Sequence, residues 1–230
     1  MELVFLGTGA AFSLERYNGA VCVDRRFLLD GGAPLLPHLH RAGVDPAGIE
    51  AIFLSHFHGD HVAGLIPFVA FRAFLPEPRP LTVVASKGTE ERLDALLDAA
   101  WGPDEWQGWK HRIPLRHQVA GEGGEVAGVP FETVALRHGS ARATGYRLHL
   151  DGSVLAYAGD SQATEELDRL CDGADVVVTE ATGPAPMPTH TSWPEAEALA
   201  ARHPGTRFLF NHVSAGSPSG AVSDLEVITV

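Results

Sequence analysis

One segment, His56-Phe57-His58-Gly59-Asp60-His61, constrains this chain more than any other. It follows the apolar run Ala51-Ile52-Phe53-Leu54, which reads as a buried strand. Three imidazoles and a carboxylate at the end of such a strand make a poor core and a good metal site at the rim of a sheet. Imidazole and carboxylate suit zinc and similar divalent ions, with metal–nitrogen contacts near ~2.0–2.1 Å. The competing reading is a histidine-rich surface loop.

Three more apolar runs end the same way. His138 follows Phe131–Leu136, Asp160 follows Leu155-Ala156-Tyr157-Ala158-Gly159, and His212 follows Phe208-Leu209-Phe210-Asn211. Singly, each is an ordinary loop residue. Together they bring the donors to seven, more than one zinc ion uses. The economical arrangement is two metals sharing a carboxylate and a water: His56, His58 and His138 on one, Asp60, His61 and His212 on the other, and Asp160 bridging.

Bulk properties bound this reading. A chain of 230 residues with 45% hydrophobic content fits one domain spanning residues 1–230 and needs no disulfide to fold. The cysteines, Cys22 and Cys171, lack a C-x-x-C spacing and read as buried thiols in a reducing compartment. The apolar stretch from Ala63 to Phe71 is far short of the ~18 residues a membrane span needs, and Met1-Glu2-Leu3-Val4-Phe5-Leu6 reads as a strand. The expectation is a soluble cytoplasmic protein without membrane contact.

Net charge is −12, from 29 acidic and 17 basic residues. That disfavours a nonspecific grip on nucleic acid, whose affinity comes mostly from Lys and Arg. It leaves room for a small phosphodiester, because metal ions supply local positive charge. Arg16, Arg137, Arg142 and Arg147 form either a local basic patch or a solvated face.

Strands are expected at 3–6, 20–23, 27–29, 51–54, 81–85, 131–136, 145–150, 154–158, 176–179, 207–210 and 225–228. Helices are expected at 34–42, 61–74, 89–100, 163–170 and 193–202. Asp151-Gly152 reads as a hairpin turn. Each half runs from strands into helix–strand alternation, which suggests an α/β arrangement of two mixed sheets face to face with helices outside.

The ordered set His56-x-His58-x-Asp60-His61, His138, Asp160, His212 resembles the metallo-β-lactamase fold hydrolases. The resemblance runs from Phe5-Leu6-Gly7-Thr8-Gly9 to His212-Val213-Ser214. It implies an αββα sandwich with a dinuclear site for two divalent ions, zinc or alternatively manganese, at the edge between the halves, and the ligand roles just given. It also implies that Asp30, in Leu28-Leu29-Asp30-Gly31-Gly32, stands behind a metal histidine; a turn residue is the alternative.

Val178-Thr179-Glu180-Ala181-Thr182 followed by His190-Thr191-Ser192 resembles the branch holding the tRNA 3′-processing endonucleases. That likeness implies that His190 acts at the scissile phosphate and that Glu180 holds it; from the ligand arrangement, Asp60 or Asp160 orients the nucleophile. The plainer role for this segment is a helix cap by Thr191 or Ser192 ahead of Pro194. One departure matters. The tRNA enzymes carry a long clamping arm between the third histidine and the bridging aspartate, and here only 22 positions separate His138 from Asp160. The compact spacing looks more like the phosphodiesterases that open small cyclic phosphates. The sequence therefore points to a dinuclear metal-dependent phosphodiesterase with a small-molecule substrate, in a chain able to form a homodimer. A tRNA endonuclease without its arm, an ester or thioester hydrolase, a diiron redox protein and a non-catalytic metal binder are the alternatives. The diiron proteins usually carry a glutamate where His58 stands. Trp101, Trp106 and Trp109 form either a substrate lid or a packing or dimer element.

Overall fold

Alternation along each strand decides which layer it builds. The computed structural model describes residues 1–230 except Ser217. In β1 (Glu2–Gly7), Leu3 and Phe5 enter one interior while Val4 and Leu6 enter another. The chain therefore forms layers rather than a single two-faced sheet.

The first sheet has seven strands in the order β13-β1-β2-β3-β4-β5-β6. These are β13 (Val227–Thr229), β1, β2 (Ala20–Val23), β3 (Phe27–Leu29), β4 (Ala51–Phe53), β5 (Leu81–Ala85) and β6 (Leu115–Val119). β13, β1, β2 and β3 pair antiparallel; β3 through β6 pair parallel. The second sheet has six strands in the order β12-β11-β10-β9-β8-β7. These are β12 (Arg207–Asn211), β11 (Val176–Glu180), β10 (Ser153–Tyr157), β9 (Ala141–Leu150), β8 (Val129–His138) and β7 (Gly123–Val126). Its β10–β12 segment is parallel and the rest antiparallel.

Between the sheets, Phe53 meets Phe131 at 5.5 Å and Tyr146 at 5.3 Å, both edge to face. Truncating a ring so enclosed costs about 3–5 kcal/mol. Outside the first sheet, Val4, Leu6, Ile52 and Leu54 pack on α1 (Leu35–Arg41), α3 (Leu65–Ala73), α4 (Thr89–Trp101) and α5 (Pro103–Lys110). Outside the second, Ala156, Ala158 and Val177 pack on α6 (Glu165–Cys171) and α7 (Trp193–Arg202). This is the αββα sandwich expected from the sequence.

Three local outcomes bear on the sequence reading. The helix expected over 61–74 is two, α2 (Gly59–Val62) and α3, with the break at Gly64. A Cβ there would lie 1.9 Å from the Ala33 carbonyl oxygen, so the backbones approach too closely for any other residue. Strands β6 and β7 were not foreseen. They are sheet edges with mostly exposed, polar or glycine residues, so they lack an alternating apolar pattern. Asp151 and Gly152 turn at φ 48° and 86°, as a two-residue hairpin requires.

The tryptophan segment spans two helices: Trp101 closes α4, and Trp106 and Trp109 lie in α5. Trp106 is buried with its Nε1–H donating to Asp94, and Trp109 packs against Phe74 and Trp101. Both cysteines are buried, and burial pushes each thiol up to about 12. No helix among the described residues is long and apolar enough to cross a membrane.

Candidate metal centre

Strand ends from both sheets converge on one rim. β4 delivers His56 and His58 through a short turn, and the N-terminal turn of α2 delivers Asp60 and His61. β8 ends on His138, while Asp160 and His212 lie just past β10 and β12. All seven sequence-predicted donors are brought together.

They divide into two sets. In the first, His58 Nδ1 lies 2.9 Å from His56 Nε2 and 3.2 Å from His138 Nε2. Asp160 Oδ2 lies 3.9 Å from His56 Nε2 and 3.7 Å from His138 Nε2. In the second, Asp60 Oδ2 and Asp160 Oδ1 each lie 3.2–3.3 Å from both His61 Nε2 and His212 Nε2. Four donors around an ion at ~2.0–2.1 Å stand about 3.3 Å apart in a tetrahedron. The two oxygens of Asp160 thus face different sets.

Donor chemistry supports the same reading. His61 Nε2 and Asp160 Oδ1 are buried with no hydrogen-bond partner, a costly condition that a cation would relieve. The outer ring nitrogens are spoken for. His61 Nδ1–H donates to Asp30 at 2.7 Å, His138 Nδ1–H to the Thr189 carbonyl at 2.8 Å. His56 Nδ1–H donates to Ser55 Oγ at 3.1 Å, and His212 Nδ1–H to Thr182 Oγ1 at 3.0 Å. Each bond fixes the tautomer that turns an Nε2 lone pair inward. The residues present fit a pair of divalent ions.

Asp30 is fully buried and is no mere turn residue. It accepts from His61, from the Ser55 backbone N–H at 2.7 Å and hydroxyl at 2.6 Å, and from the Tyr157 hydroxyl at 2.6 Å. Neither Ser55 nor Tyr157 was singled out from the sequence; their strand positions alone gave no polar signal. Asp30 and His212 sit at φ 57° and 52°, a left-handed conformation costing about 1–2 kcal/mol in each case. Gly159, just before Asp160, has φ 60°, and a Cβ there would lie 2.4 Å from Ser55.

Electrostatics separates the sets. Burial pushes His56 down to about 3, aided by the neighbouring His61 charge, and burial also lowers His58. Burial acts downward on His61 and His212 too, but Asp160 with Asp30 outweighs it at His61. Asp160, Asp60 and Glu180 outweigh it at His212, which rises to about 10. Asp160 and Asp60 are held below the usual carboxylate range by those imidazoles, against the upward effect of burial.

Glu180 closes β11 fully buried. It accepts from His190 Nδ1–H at 2.9 Å, from the Ser161 N–H at 2.6 Å and from the Thr182 hydroxyl. His190 stacks on His212 at 5.5 Å with 16° between planes, and its Nδ1 is 3.7 Å from Asp160. Burial pulls the His190 imidazole down, yet Glu180 and Asp160 together raise it above its ordinary value. The capping role holds as well: Ser192 and Glu195 form a capping box on α7. Thr182 had no assigned role and links Glu180 to His212.

A cavity of about 690 Å³ opens over this rim, lined by Phe12, Asn18, His58, Asp60, Asp160 and His190 among others. Phe12 is 95% exposed and gave no sequence signal. The tryptophans of α5 do not line it. Three of the four arginines of the suggested patch are engaged elsewhere: Arg137 pairs with Glu166, Arg147 binds the Leu170 and Asp172 carbonyls, and Arg16 binds Thr8.

Residues 25–213 match the beta-lactamase superfamily domain. Ribonuclease Z of Mycobacterium bovis is 30% identical over 194 residues, covering 77% of this chain and 69% of that enzyme. Ribonuclease Z of Bacillus licheniformis is 28% identical, covering 79% of this chain and 76% of its own. That second alignment is 241 residues long, so the relative inserts tens of residues without counterpart here. Among solved structures, the short form of human tRNase Z superposes with a TM-score of 0.79 at 20% identity, covering 100% of this chain and 99% of that one. A diphosphatase of the PhnP family superposes at 0.77, also at 20% identity, covering 100% and 97%. At that identity the two structures speak for the fold.

Proposed function

The chain belongs to the beta-lactamase superfamily, whose hydrolase fold it shares, and we propose that it is a dinuclear metal-dependent phosphodiesterase acting on a small or cyclic phosphodiester. His56, His58 and His138 would hold one ion; Asp60, His61 and His212 the other; Asp160 would bridge. The imidazole-rich first set favours zinc, and the two carboxylates of the second also admit manganese. Divalent ions so held supply Lewis-acid polarisation of a phosphoryl oxygen and a lowered pKa for water.

The observation that carries this reading is the His190–Glu180 pair beside Asp160. A phosphodiester carries a negative charge from the start and more develops on its leaving oxygen, which suits a second cationic donor beside the ions. Glu180 keeps His190 in place and raises its pKa, which favours the acid form that donates to that oxygen as the bond breaks. Asp60 and Asp160 accept hydrogen bonds from the attacking water and orient it. Asp30 keeps His61 facing inward.

A second reading, tRNA 3′ processing, is favoured by the likeness to ribonuclease Z. Against it, the span from β8 to Asp160 is filled by β9, a two-residue turn and β10, with no clamping arm. The proposal takes residues 1–230 as one domain working in the cytoplasm.

Hydrolysis of a panel tests the reading: an activated bis-aryl phosphate, 2′,3′- and 3′,5′-cyclic nucleotides, a ribosyl cyclic phosphate and a pre-tRNA. Turnover of the small diesters, absent in Asp160→Ala, is the expected result. Preference for pre-tRNA establishes the second reading. Silence across the panel with both metals bound contradicts both.

A further inference from the structure

Two tyrosines of the second sheet reach across to the first and end on different partners. Tyr146, in β9, donates to the Leu54 carbonyl at 2.8 Å and to the Val84 carbonyl at 3.2 Å. Tyr157, in β10, donates to Asp30 Oδ2 at 2.6 Å. Both side chains are buried in the layer between the sheets. They are alike in ring, burial and span, and differ in what they hold: backbone in one case, a carboxylate in the other.

That carboxylate stands directly behind the metal rim. The same Oδ2 accepts from the Ser55 hydroxyl at 2.6 Å and from His61 Nδ1–H at 2.7 Å. The other ring nitrogen of His61, Nε2, faces Asp160 Oδ1 at 3.2 Å. Asp160 in turn lies three residues after Tyr157. Tyr157, Asp30, His61 and Asp160 therefore close a circuit. Hydrogen bonds join the first three, Asp160 faces His61, and the backbone of Ala158 and Gly159 leads back to Tyr157. Gly159 pins that return path: a Cβ there would lie 2.4 Å from the Ser55 side chain and 3.5 Å from Asp30 Oδ2, so the segment rests on the Asp30–Ser55 pair. The circuit passes between the sheets at the Tyr157 hydroxyl.

We propose that Tyr157 is a positioning residue for the dinuclear centre. Its hydroxyl fixes Asp30, and with it His61, against the segment that carries Asp160, so donors from the two sheets stand at ion-binding distance before a metal arrives. The proposal rests on the two-metal reading. Tyr157 belongs to neither donor set, and its contribution is orientation. Without that bond the Asp30 carboxylate keeps only partners from its own sheet and α2, and His61 loses its fixed bearing on Asp160.

The test is a competitive chelator titration with zinc on metal-stripped wild type, Tyr157→Phe and Tyr146→Phe. Each variant keeps its ring and loses one buried hydroxyl, so both should melt at lower temperature than the wild type without metal. Only Tyr157→Phe is expected to weaken a zinc-binding step, by about tenfold, the lower end of what groups behind a metal ligand contribute. Unchanged affinity in Tyr157→Phe, or an equal loss in Tyr146→Phe, overturns the proposal. Because the hydroxyl acts through Asp30, adding Tyr157→Phe to Asp30→Asn should cost less than about twofold more, and a further tenfold loss overturns it. The unaltered chain gives a check that needs no variant to fold: the Tyr157 hydroxyl proton should show a hydrogen-bonded NMR signal with and without zinc. A signal present only with zinc overturns the proposal. Fewer than two zinc ions on the wild type contradicts the two-metal reading, and this proposal falls with it. Two ions held equally well by wild type and Tyr157→Phe contradict the role of Tyr157 alone.

Discussion

The two donor sets share Asp160 and little else. The set of His56, His58 and His138 is three imidazoles, with His58 exposed and lowered and His56 pushed down to about 3 by burial. The set of Asp60, His61 and His212 is half carboxylate once Asp160 is counted, and its histidines are backed by Asp30 and, through Thr182, by Glu180. Backing carboxylates raise ligand basicity and fix ring orientation. Similar spacing therefore conceals unequal sites: the acidic set should fill first and hold tighter, and the imidazole set should exchange with solvent.

Four substitutions break or sharpen that contrast. Asp160→Ala has the largest expected effect, because it strikes both sets: turnover of a small diester should fall by about 10³-fold or more, with metal content below two equivalents by elemental analysis. His190→Ala should retain both metals and lower kcat by about 10²–10³-fold. Because the acid form of His190 is the one required, and Glu180 raises its pKa, wild-type activity should fall as pH rises above that value. This basic limb should be missing from the pH profile of His190→Ala. Asp30→Asn should weaken the acidic set most, by about 10–100-fold in a competitive chelator titration, and the imidazole set less, because Asp30 touches His61 directly and reaches His56 only through the Ser55 hydroxyl. Equal weakening of both would dissolve the contrast. Trp101→Ala lies apart from both sets and is the smallest: about 1 kcal/mol in a denaturant midpoint, with kcat/KM unchanged.

Donor legibility followed from local sequence order. Each ligand sits at the end of an apolar run, so the run announces the strand and the break in polarity announces the rim. The backing residues are less legible. Ser55 and Thr182 become partners between neighbouring strand ends of one sheet, and Tyr157 reaches Asp30 from the other sheet across 127 positions, none of which leaves a local trace. Edge strands β6 and β7 escaped for a related reason: half-exposed edges need no apolar alternation.

The most direct measurement of the two-metal account is diester hydrolysis followed as metal is titrated into stripped protein, one equivalent at a time. The account predicts little turnover after the first equivalent, a steep rise with the second, and no rise in Asp160→Ala. Full activity at one equivalent, or in Asp160→Ala, would contradict it.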